Sequence, residues 1–117
     1  MSLPFEAVRA HLEAFNARDP EAVVATFTDD AVFAAGEQIV VGRRALHTMF
    51  ADAFGAPIHA RLDVRQAVVD EQTVACELTE TITVEGATHE LDVAAFYRVR
   101  DGLLSRVKVY RDLTDPS

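Results

Sequence analysis

A carboxylate and a guanidinium on the inner face of one sheet make a polar anchor, and a histidine beside them can carry a proton. Glu80, Arg111 and His11 form such a set in this chain. Glu80 interrupts the alternating apolar run Val74, Cys76, Leu78, Ile82 and Val84, so its side chain falls on the face that the run buries. Arg111 keeps step with Val107 and Val109 in the last run. A two-residue turn at Glu85-Gly86 sets Val84 opposite Ala87 and Glu80 opposite Leu91. A three-residue loop at 100–102 sets Val99 opposite Leu103 and Leu91 opposite Arg111. On that register the two charged residues flank Leu91 at roughly 10 Å between backbones, from the ~4.8 Å strand spacing, and their side chains meet above it. His11 borders Leu12 and Phe15 at the edge of an apolar helix face. In a catalytic reading His11 is the proton carrier, Glu80 the base or orienting carboxylate, and Arg111 a clamp on developing negative charge. In the plain reading the pair is structural and His11 is a partly buried side chain. Tyr97 either brings a hydroxyl to the same space or packs as a core tyrosine.

The remaining reactive side chains are less pointed. His47 flanks a helix stripe, His59 alternates to a polar face, and His89 lies near a hairpin tip, where exposure is expected. Cys76 is in phase with Val74 and Leu78 and reads as a core thiol; as the single cysteine it excludes an intrachain disulfide. Asp29-Asp30 reads as turn chemistry. There is no phosphate loop, metal-ligand spacing or Gly-x-Ser-x-Gly elbow, so neither metal nor cofactor is expected. A net charge of −8 disfavours nucleic acid and anionic lipid as partners. No segment approaches the ~20 apolar residues of a membrane span, and the first residues lack a basic stretch followed by an apolar one, so a cytoplasmic domain is expected.

The elements that position these residues divide the chain in two. Within residues 4–16, Phe5, Val8, Leu12 and Phe15 recur at helical spacing. Asp19-Pro20-Glu21 is the signature of a second helix start, and Gly42 opens a third helix carrying Leu46, Met49, Phe50 and Phe54. Between the last two, Ala31–Ala34 reads as a short strand, and residues 39–41 are apolar and β-branched. From Ile58 the period changes to two and four strands follow as a meander. At 117 residues the chain is one domain, 1–117, of the α+β class, with three N-terminal helices covering one face of a mainly antiparallel sheet.

The order of elements, with Phe15-Asn16-Ala17-Arg18-Asp19, Phe27-Thr28-Asp29-Asp30-Ala31-Val32-Phe33, Val41-Gly42, Val99-Arg100-Asp101-Gly102 and Val109-Tyr110-Arg111-Asp112, resembles the nuclear transport factor 2-like superfamily. Within it the chain looks like the SnoaL-like branch, near ketosteroid isomerase, limonene epoxide hydrolase and the small polyketide cyclases. The resemblance implies a cone-shaped roll, a curved sheet wrapped over three helices around an apolar pocket. It also implies that His11 stands where the isomerase has its oxyanion-stabilising tyrosine, keeping a hydrogen-bond donor there. The isomerase's general base falls at about Ala35 and its second acid at about Ala95. The epoxide hydrolase's arginine and two aspartates fall at about Cys76, Leu78 and Val109, none of which activates water. For the cyclases the nearest candidate acid, Asp92, alternates to the outer face.

The expected occupant is a small hydrophobic molecule, walled by Phe15, Phe33, Met49, Phe50, Phe54, Leu78 and Tyr97. The reaction is left open among isomerase, cyclase, dehydratase and hydrolase. The rival expectation is a non-catalytic ligand-binding or dimerisation module whose interior is filled by Phe15, Phe33, Phe50 and Phe54. Ala94, Phe96 and Tyr110 point away from the helices, which predicts a homodimer joined through the outer face of the sheet.

Overall fold

The computed structural model describes residues 3–111; the Asp112 end of the last motif lies outside them. The elements are α1 (Leu3–Asn16), α2 (Pro20–Ala25), β1 (Phe27–Ala35), β2 (Gln38–Val41), α3 (Arg43–Gly55), β3 (Ile58–Asp70), β4 (Thr73–Val84), β5 (Ala87–Arg100) and β6 (Leu103–Arg111). Val8, His11 and Leu12 are the buried side of α1, at the three- and four-residue spacing that stacks side chains on one helix face. Asp19 caps α2 by accepting from the Ala22 N–H at 3.1 Å, with proline at the start of the helix, where a missing N–H leaves no bond unmade.

All six strands join one curved, unclosed sheet in the order β2-β1-β6-β5-β4-β3. Every pairing is antiparallel except β1 with β6, which is parallel. α1 packs on β3, β4 and β5, and α3 packs on β1 and β2. Between the layers, Val8, Leu12, Val23, Leu46 and Phe50 from the helices meet Phe27, Val74, Leu78, Tyr97, Leu104 and Val107 from the sheet, all buried.

Asp29-Asp30 is not a turn. β1 begins at the fully buried Phe27, four residues before the expected Ala31 start, and carries both aspartates within the strand. The pairing of β1 with β6 shifts between Phe27 and Val32, and both aspartates on this bulged stretch are exposed. Arg43 reaches Asp29 at 3.1 Å and Arg100 reaches Asp30 at 2.5 Å. Two arginines distant in sequence thus hold in a strand a pair of residues that favours turns when alone.

The last hairpin also departs from its expected register. Only Asp101-Gly102 separates Arg100 from its partner Leu103, and an irregularity between Arg98 and Val99 takes up one further residue. Arg111 therefore sits opposite Val93 rather than Leu91. Two shifts of one residue restore the alternation, so Arg111 keeps the inner face. Glu80 opposite Leu91 and Val84 opposite Ala87 agree with the counted turn.

Candidate functional site

Glu80 and Arg111 meet. Arg111 Nε donates to Glu80 Oε1 at 2.9 Å, and Nη2 donates to Oε2 at 3.4 Å, a two-pronged contact. The Glu80 side chain is 4% exposed and the Arg111 side chain 39%. The carboxylate is therefore inside the protein, while the guanidinium still touches water.

A cavity of about 40 Å³ opens between α1, α3 and the inner face of the sheet. His11, Phe15, Phe33, Phe50, Leu78, Tyr97 and Arg111, all singled out by the sequence, line it. Leu62, Val93, Ala95, Val107 and Val109 complete the wall; all five are in phase with the apolar strand sets, so alternation alone could have found them. Glu80, paired with Arg111, is not part of the lining. Met49 and Phe54 do not line the cavity. Met49 faces a surface depression beside β2, and Phe54 packs against Phe15 and Phe50 with ring centroids 5.5 and 5.9 Å away, with the Arg18 guanidinium over its face. The volume holds a few water molecules at most. Phe15 and Phe33 each meet Phe50 edge-on, at 6.3 and 5.8 Å, and the three rings fill what would otherwise be a larger space.

His11 lies at the buried end, 3% exposed, with the rings of Phe27, Phe50 and Tyr97 at 5.2, 6.3 and 6.1 Å. Burial lowers its pKa from 6.5 to about 4, because the imidazolium has no water to solvate it there. Its Nδ1 lies 3.2 Å from the Thr26 hydroxyl oxygen. Burial likewise pushes the Tyr97 phenol far above its ordinary range and the Cys76 thiol up to about 11, so both stay protonated. His89 and His59 are exposed, and His47 faces Glu21 at 3.7 Å.

Asn16, which the sequence marks only as part of a motif, belongs to the site's support. Its amide donates to the Leu62 carbonyl and accepts from the Leu62 N–H, both at 2.9 Å. That double bond docks the end of α1 onto β3 beside a cavity-lining residue. An asparagine at a helix end is a local signal, but its partner strand is not.

The family model of the SnoaL-like domain matches residues 8–107. The chain belongs to the SnoaL-like domain family. No functionally curated protein matches it. Among solved structures this SnoaL-like domain is similar to an LEH-like epoxide hydrolase of M. tuberculosis at 22% identity, covering 97% of this chain and 85% of that one, with a TM-score of 0.86. A putative polyketide cyclase of Xanthomonas campestris pv. campestris shares 26% identity over 95% of this chain and 91% of its own, TM-score 0.83. A putative ketosteroid isomerase of Kribbella flavida shares 20% over 100% and 84%, TM-score 0.80. At the positions the resemblance assigns to catalytic acids, this SnoaL-like domain has Ala35, Ala95, Leu78 and Val109, and the last three line the cavity as apolar wall. Among the described residues no cluster of three or more His, Cys, Asp and Glu is placed to hold a metal ion, and no helix is long and apolar enough to cross a membrane.

Proposed function

We propose that this SnoaL-like domain binds a small, largely apolar molecule inside the cone, and that any reaction there is a proton transfer involving His11, with Arg111 as the second polar contact. One observation carries the reading: an internal cavity whose apolar wall is broken only by His11, Tyr97 and Arg111. The chemistries named for the similar structures find no acid in that wall, since Glu80 is paired with Arg111 and is not among the lining residues. The present volume of about 40 Å³ means that an organic ligand has to displace water and part the aromatic wall.

A thermal-shift screen of small apolar compounds tests the reading. A compound at 100 times its Kd stabilises the fold by about 2.7 kcal/mol. The shift is expected to vanish in Val109→Phe, which fills the cavity from a partly buried position. A shift that survives in Val109→Phe, or tight binding of a sugar phosphate or nucleotide, overturns the assignment.

A second reading concerns assembly, and a separate observation favours it. Phe96 and Tyr110 pack edge to face at 6.0 Å on the outer side of the sheet, and each is 49% exposed. An exposed aromatic pair on a broad sheet suits a second copy of the chain, and a homodimer through this face is the proposed state.

A further inference from the structure

Thr26 decides which edge of the His11 imidazole carries the proton. The Thr26 hydroxyl oxygen lies 2.5 Å from the Val23 carbonyl oxygen, which only accepts, so the single hydroxyl proton is committed there. That hydroxyl then has nothing but lone pairs to offer His11 Nδ1, 3.2 Å away. Nδ1 holds the ring proton and donates it to Thr26. In the neutral imidazole, Nε2 is left as a lone pair. Burial keeps the ring neutral at physiological pH.

No enclosed side-chain nitrogen or oxygen among the described residues lacks a hydrogen-bond partner. His11 Nε2 makes no hydrogen bond to a described residue, and His11 lines the cavity. Tyr97, in the same wall, has a hydroxyl that makes no hydrogen bond to a described residue and is protonated at any ordinary pH. With that tautomer the cavity wall carries one acceptor, on His11, and one donor, on Tyr97. This reverses the expectation drawn from the resemblance, in which His11 supplies a donor.

The geometry points to a pocket that selects a hydroxyl group: a ligand O–H donates to His11 Nε2, its oxygen accepts from the Tyr97 hydroxyl, and the rest of the molecule is apolar. The ligand class is a small neutral phenol or alcohol. A ketone or ether would set its oxygen lone pairs against the Nε2 lone pair and leave that nitrogen unpaired. A carboxylate or phenolate has no proton to give, and the charge of Arg111 is already matched by Glu80. The inference rests on the ligand-binding reading above.

Two measurements on the full chain test it. Long-range proton–nitrogen correlation spectra of ¹⁵N-histidine-labelled protein at pH 7 are expected to show a pyrrole-like Nδ1 and a pyridine-like Nε2 for His11; the opposite tautomer overturns the proposal without a ligand being involved. Titration with phenol, anisole and toluene is expected to give phenol the tightest binding, by about tenfold over anisole. Equal binding of all three overturns the hydroxyl preference while leaving an apolar pocket standing. Binding of none overturns the pocket reading and the preference with it. Thr26→Val, checked for folding by circular dichroism, removes the acceptor of the Nδ1 proton and lets Nε2 protonate. In that variant the phenol advantage is expected to shrink to less than about threefold, and an unchanged ratio in a folded variant counts against the proposal. If that variant does not fold, the spectra of the unsubstituted protein still decide.

Discussion

A neutral histidine at the heart of the core ties stability to pH. The folded pKa of His11 is about 4, against 6.5 in an unfolded chain. Below pH 6.5 the unfolded state therefore takes up a proton that the folded state refuses. The contribution is complete above that pH, is lost as pH falls toward 4, and is flat below it; the drop amounts to about 3 kcal/mol. Carboxylates titrate in the same window, so the readout is a difference: the urea midpoint of the natural chain is expected to fall further between pH 7 and pH 4 than that of His11→Phe. A constant gap between the two proteins across that range would contradict a buried, neutral His11. The Glu80–Arg111 pair predicts an asymmetry of another kind. Glu80 is enclosed and Arg111 is not, so losing the arginine strands a carboxylate inside, whereas losing the carboxylate strands a guanidinium that water can reach. Arg111→Leu is expected to cost about 2–3 kcal/mol and Glu80→Gln about 1 kcal/mol, with the double variant losing less than the sum. Chemical denaturation of the three variants measures this, and strictly additive losses would show the pair to be uncoupled.

At the scale of elements, the passage from β2 into α3 depends on one residue. Gly42 has φ 88 and ψ 155, a conformation that L side chains avoid, and its N–H ties the helix start to the Ala31 carbonyl of β1 at 2.9 Å. Space is not the obstacle, since an added Cβ would meet nothing nearer than the Asp29 carbonyl oxygen at 3.8 Å. Gly42→Ala is therefore expected to cost about 1–3 kcal/mol through backbone strain alone. An unchanged denaturation midpoint would mean that this junction adapts freely. The elements legible in the sequence are those written in local pattern. Strands β4 and β5 alternate, and the Glu85-Gly86 turn lets their register be counted residue by residue; nothing local marks the shift between Val64 and Gln66 in β3. The irregularity at Arg98 and Val99 has no such mark, and Arg111 kept its face only because the shorter loop offset it. β1 extends beyond the Ala31–Ala34 that local pattern marks, because Asp29 and Asp30 favour turns until Arg43 and Arg100 pair with them. Its parallel pairing with β6 joins Phe33 to Val107, a distance along the chain that no periodicity spans. The site divides the same way. Its apolar wall follows from alternation, whereas the state of His11 depends on Thr26 and Val23, and the seat of α1 on an Asn16–Leu62 contact; both are tertiary facts.

For the whole molecule, the outer side of the sheet carries the feature that the interior leaves unused. Val68, Ala75, Phe96, Lys108, Ala34 and Ile39 stand in one row across all six strands. Val68, Phe96 and Ile39 are exposed in that row, and Tyr110 packs beside it. On one flank the next row contains Glu77, and on the other Arg98 and Arg106 with Asp70 at the β3 end. If two copies meet face to face about an axis lying along this row, each copy's Glu77 flank covers its partner's Arg98 and Arg106 flank, whereas a rotation about the strand direction sets like flanks together; Lys108, in the row itself, then faces its own copy and is a like-charge contact to be tolerated. Apolar burial then supplies the affinity and the flanking charges set the orientation. Light scattering at tens of micromolar is expected to give twice the chain mass. Phe96→Glu, which places a charge in the centre of the row at an exposed position, is expected to yield a folded monomer. Arg98→Glu is expected to weaken the dimer at low salt, with added salt narrowing its difference from the natural chain as the flanking charges are screened. A monomer mass for the natural chain would remove the dimer, and a dimer indifferent to Phe96→Glu would place the interface elsewhere on the surface.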